Sequence, residues 1–182
     1  KKICKVINAF YKWDHNSCEI LIGHDGNCYP IDFANAYPDC NIASLHFYFP
    51  IVVKAMAKWM IFCSVTEKKK TFNFAYDWPK YFDIMENSNL SYKDKISLYE
   101  EVADEYFETK KFNDFCENKL LGFDKIALDF FSSDDFRKIL EGEIQTYFKV
   151  PGESQRMIEH YMGIHNFWLE CETKYLKNKN KL

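Results

Sequence analysis

Near Ser44 the apolar pattern of this chain changes period, and that switch limits the fold more than any other feature of the sequence. Before it, apolar residues come in extended runs at Ile3 to Tyr11, Cys18 to Ile22 and Cys28 to Phe33, the texture of β-strands. Between the last two runs lies His24-Asp25-Gly26-Asn27, whose Asp-Gly and Asn supply the positive φ that a tight turn requires. The sequence therefore predicts a hairpin with strands near 18–22 and 28–33. After Ser44 apolar residues recur at helical intervals. The expected fold class is α+β and predominantly helical. A small antiparallel sheet occupies residues 1–40 and a bundle-like helical portion occupies 41–182.

Helix signals support the second half. Pro50 suits a first helical turn, where its missing amide costs nothing, and Ile51 to Val65 continues as an almost wholly apolar stretch, expected to be a buried helix. Thr71 to Asn89 reads as irregular with one short helix, its aromatics (Phe72, Phe74, Tyr76, Trp78, Tyr81, Phe82) lying over the core. Ser91 with Asp94 forms a capping-box variant, followed by an apolar stripe of Tyr99, Val102, Ala103, Tyr106 and Phe107. Helices are expected over Lys111 to Leu121 and Asp124 to Phe131. Another is capped by Ser133, with Phe136, Ile139, Leu140, Ile144, Tyr147 and Phe148 on one face. Pro151-Gly152 breaks it, and a final helix over Glu153 to Lys177 buries Met157, Ile158, Tyr161, Ile164, Trp168 and Leu169.

Composition narrows the function classes. With 47% hydrophobic and 18% aromatic residues in 182, the chain has enough apolar surface to order itself. Its 24 basic and 27 acidic residues leave a net charge of −3, which offers no overall field for nucleic acid. No membrane partner is expected either: the apolar run is shorter than a span of about 20 residues and carries Lys54 and Lys58. Seven cysteines, an odd number without a CxxC pair, fit reduced thiols and a cytoplasmic location. The chain opens on Lys-Lys-Ile-Cys-Lys, without a signal-peptide core and without methionine. A processed or truncated product is expected, with part of the functional unit upstream.

Polar residues concentrate inside apolar surroundings between Tyr11 and Pro50. On paired antiparallel strands Glu19 and Asp32 can approach across the sheet, with Asn35 just beyond. Two carboxylates and an amide oxygen make a hard-oxygen site suited to Mg²⁺, which keeps several waters and shares its other positions with phosphates.

A carboxylate-bearing strand, a Gly-containing turn, a second apolar strand ending in an acid, then Asn with a nearby Pro: over residues 5–50 this order resembles the carboxyl-terminal metal motif of ATP-grasp ligases. The resemblance implies that Glu19 is the first-strand acid, Asp32 the second acid and Asn35 the amide ligand, together holding Mg²⁺ against the terminal phosphates of ATP. Asp14 and Asn16 are rivals for the first position. Asp32 stands where the family has Glu, and its spacing to Asn35 is three rather than the family's two, which a bulge would absorb. The glycine-rich phosphate loop and nucleotide-reaching lysine of the family's upstream half have no counterpart in this chain. An upstream half or a partner chain is therefore implied, and the chain alone is expected not to turn over ATP. The implied chemistry activates a small-molecule carboxylate as an acyl phosphate for attack by an amine or similar nucleophile. Lys54 and Lys58, four apart on one helical stripe, are cofactor-binding candidates if their helix borders the nucleotide; the other reading is a snorkelling stripe facing solvent.

Plainer readings stand beside these. Asp and Asn after a strand are ordinary turn and cap residues, and Asp39, Asn41 or Ser44 can cap the next helix. His15, Cys18, His24, Cys28, Cys40 and His46 offer zinc-like spacings but no tight knuckle. His160 and His165 are five apart, and so do not share a helix face; one is expected at the surface and the other packed. The alternative function, from a different class, is a non-catalytic helical protein-interaction module.

Overall fold

The structure, a computed structural model, describes residues 2–35, 38–68 and 73–179. In chain order its elements are α1 (Lys2–Tyr11), β1 (Ser17–Ile22), β2 (Cys28–Asn35), α2 (Ile42–Leu45), a 3-10 turn (His46–Tyr48), α3 (Phe49–Val65), α4 (Phe74–Glu86), α5 (Tyr92–Phe107), α6 (Thr109–Lys119), α7 (Phe123–Phe131), α8 (Asp134–Tyr147) and α9 (Pro151–Asn178). The fold is α+β and mostly helical, with one two-stranded antiparallel sheet near the N-terminus. The chain divides into two compact units. Lys1–Pro38 groups with Glu67–Asp114, and Asp39–Thr66 with Phe115–Leu182. Residues 67–114 thus belong with the hairpin segment, a grouping that the expected division at residue 40 does not contain.

In the first unit the expected strand over Ile3 to Tyr11 is instead helix α1. Its β-branched residues suggest a strand, but Ile3, Val6, Ile7 and Phe10 follow the helical i, i+3, i+4, i+7 spacing. Ala9 and Ala103 are both fully buried, and their small side chains let α1 pack closely on α5. The one short helix expected in the next region is longer than read: α4 runs from Phe74 to Glu86 with Pro79 inside it. Trp78 stacks on Phe10 at 5.1 Å and donates its indole N–H to the Phe10 carbonyl at 3.1 Å. Such tertiary contacts hold a helix that proline would weaken. Thr71 and Phe72 lie outside the described residues. At Ser91 the capping box with Asp94 forms as read from the sequence.

The hairpin matches its prediction. Gly26 takes φ +77°, the conformation for which the turn needs glycine. The Asp25 carboxylate accepts from the Tyr29 hydroxyl at 2.7 Å and from the Asn27 amides, which hold its pKa down at about 2. Yet the ribbon leaves much of its apolar surface uncovered: Ile22 is 76% and Leu21 56% exposed, and Ile20, Tyr29, Ile31 and Phe33 are exposed as well.

The second unit holds the larger core. Phe131, Phe136, Leu140, Ile144, Ile158, Tyr161 and Trp168 pack together from α7, α8 and α9, with Ile42 of α2. Ser133 caps α8, accepting from the Phe136 amide at 3.2 Å. The buried stripes are narrower than expected. Phe136, Leu140 and Ile144 turn inward on α8, whereas Ile139 and Tyr147 are exposed. On α9 His165 joins Ile158, Tyr161 and Trp168, and Leu176 is buried further along. The expectation for α3 also needs correction. Only Pro50 and Phe62 are buried, and Ile51, Met60 and Val65 are exposed. Ile42–Val65 is the one stretch among the described residues long and apolar enough, by length and composition, to cross a membrane.

Candidate functional site

The pairing of β1 with β2 sets the geometry around the predicted metal ligands. Glu19 stands opposite Ile31 and Ser17 opposite Asn35. Between those pairs β1 has only Cys18, whereas β2 has Asp32, Phe33 and Ala34, so the strand bulges there. Asp32 takes φ +41° at this irregularity, a left-handed conformation uncommon outside Gly, Asn and Asp. Paired residues share a face, as do residues two apart on one strand. Glu19 and Asn35 therefore lie on the same face, diagonal to each other.

Side-chain contacts separate these residues from their capping neighbours. The Glu19 and Asp32 residues are exposed, and their carboxylates make no hydrogen bond or ion pair among the described residues. Asn35 is half-buried and engaged. Asn16, the rival position, donates its amide to the Phe33 carbonyl at 2.8 Å and so ties β2 beside the bulge. Asp14 is exposed in the bend before β1 and has interactions of its own. The cap role falls further along. Asn41 caps α2 by accepting from the Ser44 amide at 2.9 Å, and Asp39 accepts from Asn41 and from the Ser44 hydroxyl.

As a donor set, Glu19, Asp32 and Asn35 offer hard oxygens from one ribbon, which fits Mg²⁺ by chemistry. Among the described residues no three His, Cys, Asp or Glu side chains group closely enough to hold a metal ion. A site here would therefore have to include the Asn35 amide. The seven cysteines are all unbridged.

Lys54 and Lys58 belong to the second unit, and both are largely buried and paired. Their ammonium groups lie 3.2 and 2.7 Å from the same Asp124 oxygen, and Lys54 also pairs with Glu172. Burial pushes the Asp124 carboxyl up, but the hydrogen bond from Lys58 and the charge of Lys54 outweigh it and hold the pKa at about 2. The snorkelling reading does not hold, since the two side chains are only 14% and 23% exposed. Sequence reasoning missed Asp124 and Glu172. Its available signal was the pair of lysines itself, because cations in an apolar helix need buried partners. No known protein family, curated protein or solved structure matches this chain.

The histidines behave as expected: His160 is exposed and His165 is 4% exposed. His165 Nε2 lies 2.7 Å from the Phe131 carbonyl, and its Nδ1 is buried without a partner. Burial lowers its pKa, so the neutral ring donates through Nε2.

Proposed function

We propose that this chain is the carboxyl-terminal portion of an ATP-grasp-like carboxylate ligase whose β1–β2 ribbon presents metal-binding oxygens. One observation carries the reading. The ribbon bulges at Asp32, the place where the sequence spacing departs from the family's, and Glu19 and Asn35 stand on one face. The uncovered apolar residues of the hairpin add support. A two-stranded ribbon is marginal in water, and further strands of a larger sheet would cover Ile20, Leu21, Ile22 and Tyr29. Those strands, the phosphate loop and the nucleotide-reaching lysine belong to an upstream half or a partner chain in this reading.

Glu19, Asp32 and Asn35 would hold Mg²⁺, which neutralises charge on a transferring phosphoryl group and orients it. The substrates in this reading are ATP and a small-molecule carboxylate. Lys54 and Lys58 stabilise the second unit through Asp124 and Glu172 rather than meeting nucleotide. Unbridged thiols support a reducing, cytoplasmic location.

The test uses the complete protein. Asp32→Asn should suppress Mg²⁺-dependent ATP consumption at least tenfold, about 1.4 kcal/mol in the barrier, with circular dichroism unchanged. Unaltered turnover would assign Asp32 to the bulge alone. The second reading, a non-catalytic helical interaction module, draws on the uncovered apolar surface of α3. It predicts no ATP consumption by the complete protein at all.

A further inference from the structure

The first unit contains a cavity of about 230 Å³ that the ligase reading does not use. Among the described residues its wall holds three ammonium groups, from Lys12, Lys68 and Lys80, and three carboxylates, from Asp77, Glu105 and Glu108. Tyr81, Tyr106 and Val102 complete the lining. Lys12 is only 6% exposed; its ammonium lies 2.8 Å from Asp77 and 4.3 Å from the centre of the Tyr106 ring. Lys68 Nζ donates to the Tyr106 carbonyl at 3.0 Å and to Glu108 at 3.2 Å. Lys80 lies 3.5 Å from Glu105. Opposite charges therefore surround one open volume, beside an aromatic ring that favours cations.

The backbone gives a second reason to regard this cavity as built. α1 ends in a Schellman motif: the Lys12 amide donates to the Ala9 carbonyl at 3.3 Å and the Trp13 amide to the Asn8 carbonyl at 2.8 Å. The left-handed position of that motif is usually glycine, but here it is Lys12, with φ +62°. α5 also ends on a left-handed residue, Glu108 at φ +51°, whose amide donates to the Asp104 and Glu105 carbonyls. Two helix ends thus bear a lysine and a glutamate where a side chain costs conformational energy, and both side chains line the same cavity.

We propose that this cavity binds a small zwitterion of the α-amino-acid class, its ammonium received by the carboxylate side and its carboxylate by the lysines. A lone anion would meet Asp77, Glu105 and Glu108; a lone cation would meet the three lysines. A ligand bearing both charges matches the balance of the wall, setting each of its charges beside an opposite one without opposing the ion pairs already formed there. The proposal rests on the cavity and is independent of the ligase reading.

Isothermal titration of the full chain with L-alanine, L-lysine and L-glutamate tests it, with inorganic phosphate and n-butylamine as probes of one charge sign. At least one amino acid should bind with a Kd below about 1 mM. Lys80→Met and Glu108→Gln should each weaken that binding about tenfold while the thermal midpoint stays put, since both side chains are more than a third exposed. Three outcomes overturn the proposal. The amino acids fail to saturate, which leaves a closed ion-pair network. Phosphate binds as tightly as any of them and ignores Glu108→Gln, which leaves a simple anion site. Binding survives both substitutions, which places it elsewhere.

Discussion

The helices of the second unit and the hairpin of the first carry the same kinds of side chain to opposite environments. Trp168, Leu140 and Ile144 are at most 1% exposed, whereas Leu21 and Ile22 are more than half exposed. Three helices can cover one another's apolar stripes, so α7, α8 and α9, joined by Ile42 of α2, form a core. A two-stranded ribbon has two faces and no second layer, so its apolar residues need something else to rest on. The helical unit thus has the makings of an independent core, while the hairpin has those of a part.

The contrast is sharpest in the response to truncation. Trp168→Ala should cost about 3–5 kcal/mol by removing the buried indole at the centre of the core, read as a lower denaturant midpoint. A loss below about 1 kcal/mol would mean that the core is looser than its burial shows. Next in size is the ion-pair cluster. Asp124 is held near pKa 2 against an ordinary 3.8, and a depressed carboxylate stabilises the fold above its unfolded pKa. About 2 kcal/mol should therefore be present at neutral pH and lost as pH falls from 3.8 through 2. Acid titration of Asp124→Asn should lack that portion of the decline. If wild type and variant lose stability in parallel, the cluster does not distinguish the second unit.

His165 gives a smaller effect, spread over a gentler range. Its folded pKa lies below the ordinary 6.5, so the unfolded chain takes up the proton first. Stability should fall as pH drops below about 6.5 and level off beneath the folded pKa. His165→Gln, which keeps a donor for the Phe131 carbonyl, should flatten that slope in thermal melts across this range. The smallest effect belongs to the hairpin: Ile22→Ser should change the stability of this chain by no more than about 0.5 kcal/mol. In the complete protein of the ligase reading the same change should be costly, because covering strands would meet Ile22. Equal, negligible effects in both would place the hairpin permanently at a free surface.

Much of this was legible along the chain because it depends on neighbours in sequence. Gly26 in the turn, Ser91 with Asp94 and Ser133 before Phe136 all work within a few residues, and so does the periodicity that marks α5 to α9. Local patterns were less decisive at α1 and α4. The β-branched residues of α1 and the proline of α4 argue against helix, and packing against α5 and Phe10 overrides them. The candidate site shows the same limit. Oxygen-bearing side chains at Glu19, Asp32 and Asn35 could be read from residue type. Only strand pairing showed the irregularity at Asp32 and put Glu19 and Asn35 on one face. Partners distant in sequence were invisible altogether: Asp124 and Glu172 for Lys54, or Lys68 and Glu108 around the cavity that Lys12 enters. The sequence determined where elements begin, turn and end, since propensity and capping act over a few residues. Tertiary structure alone decided which charges meet and which apolar faces are covered, because burial and ion pairing depend on segments that only folding brings together.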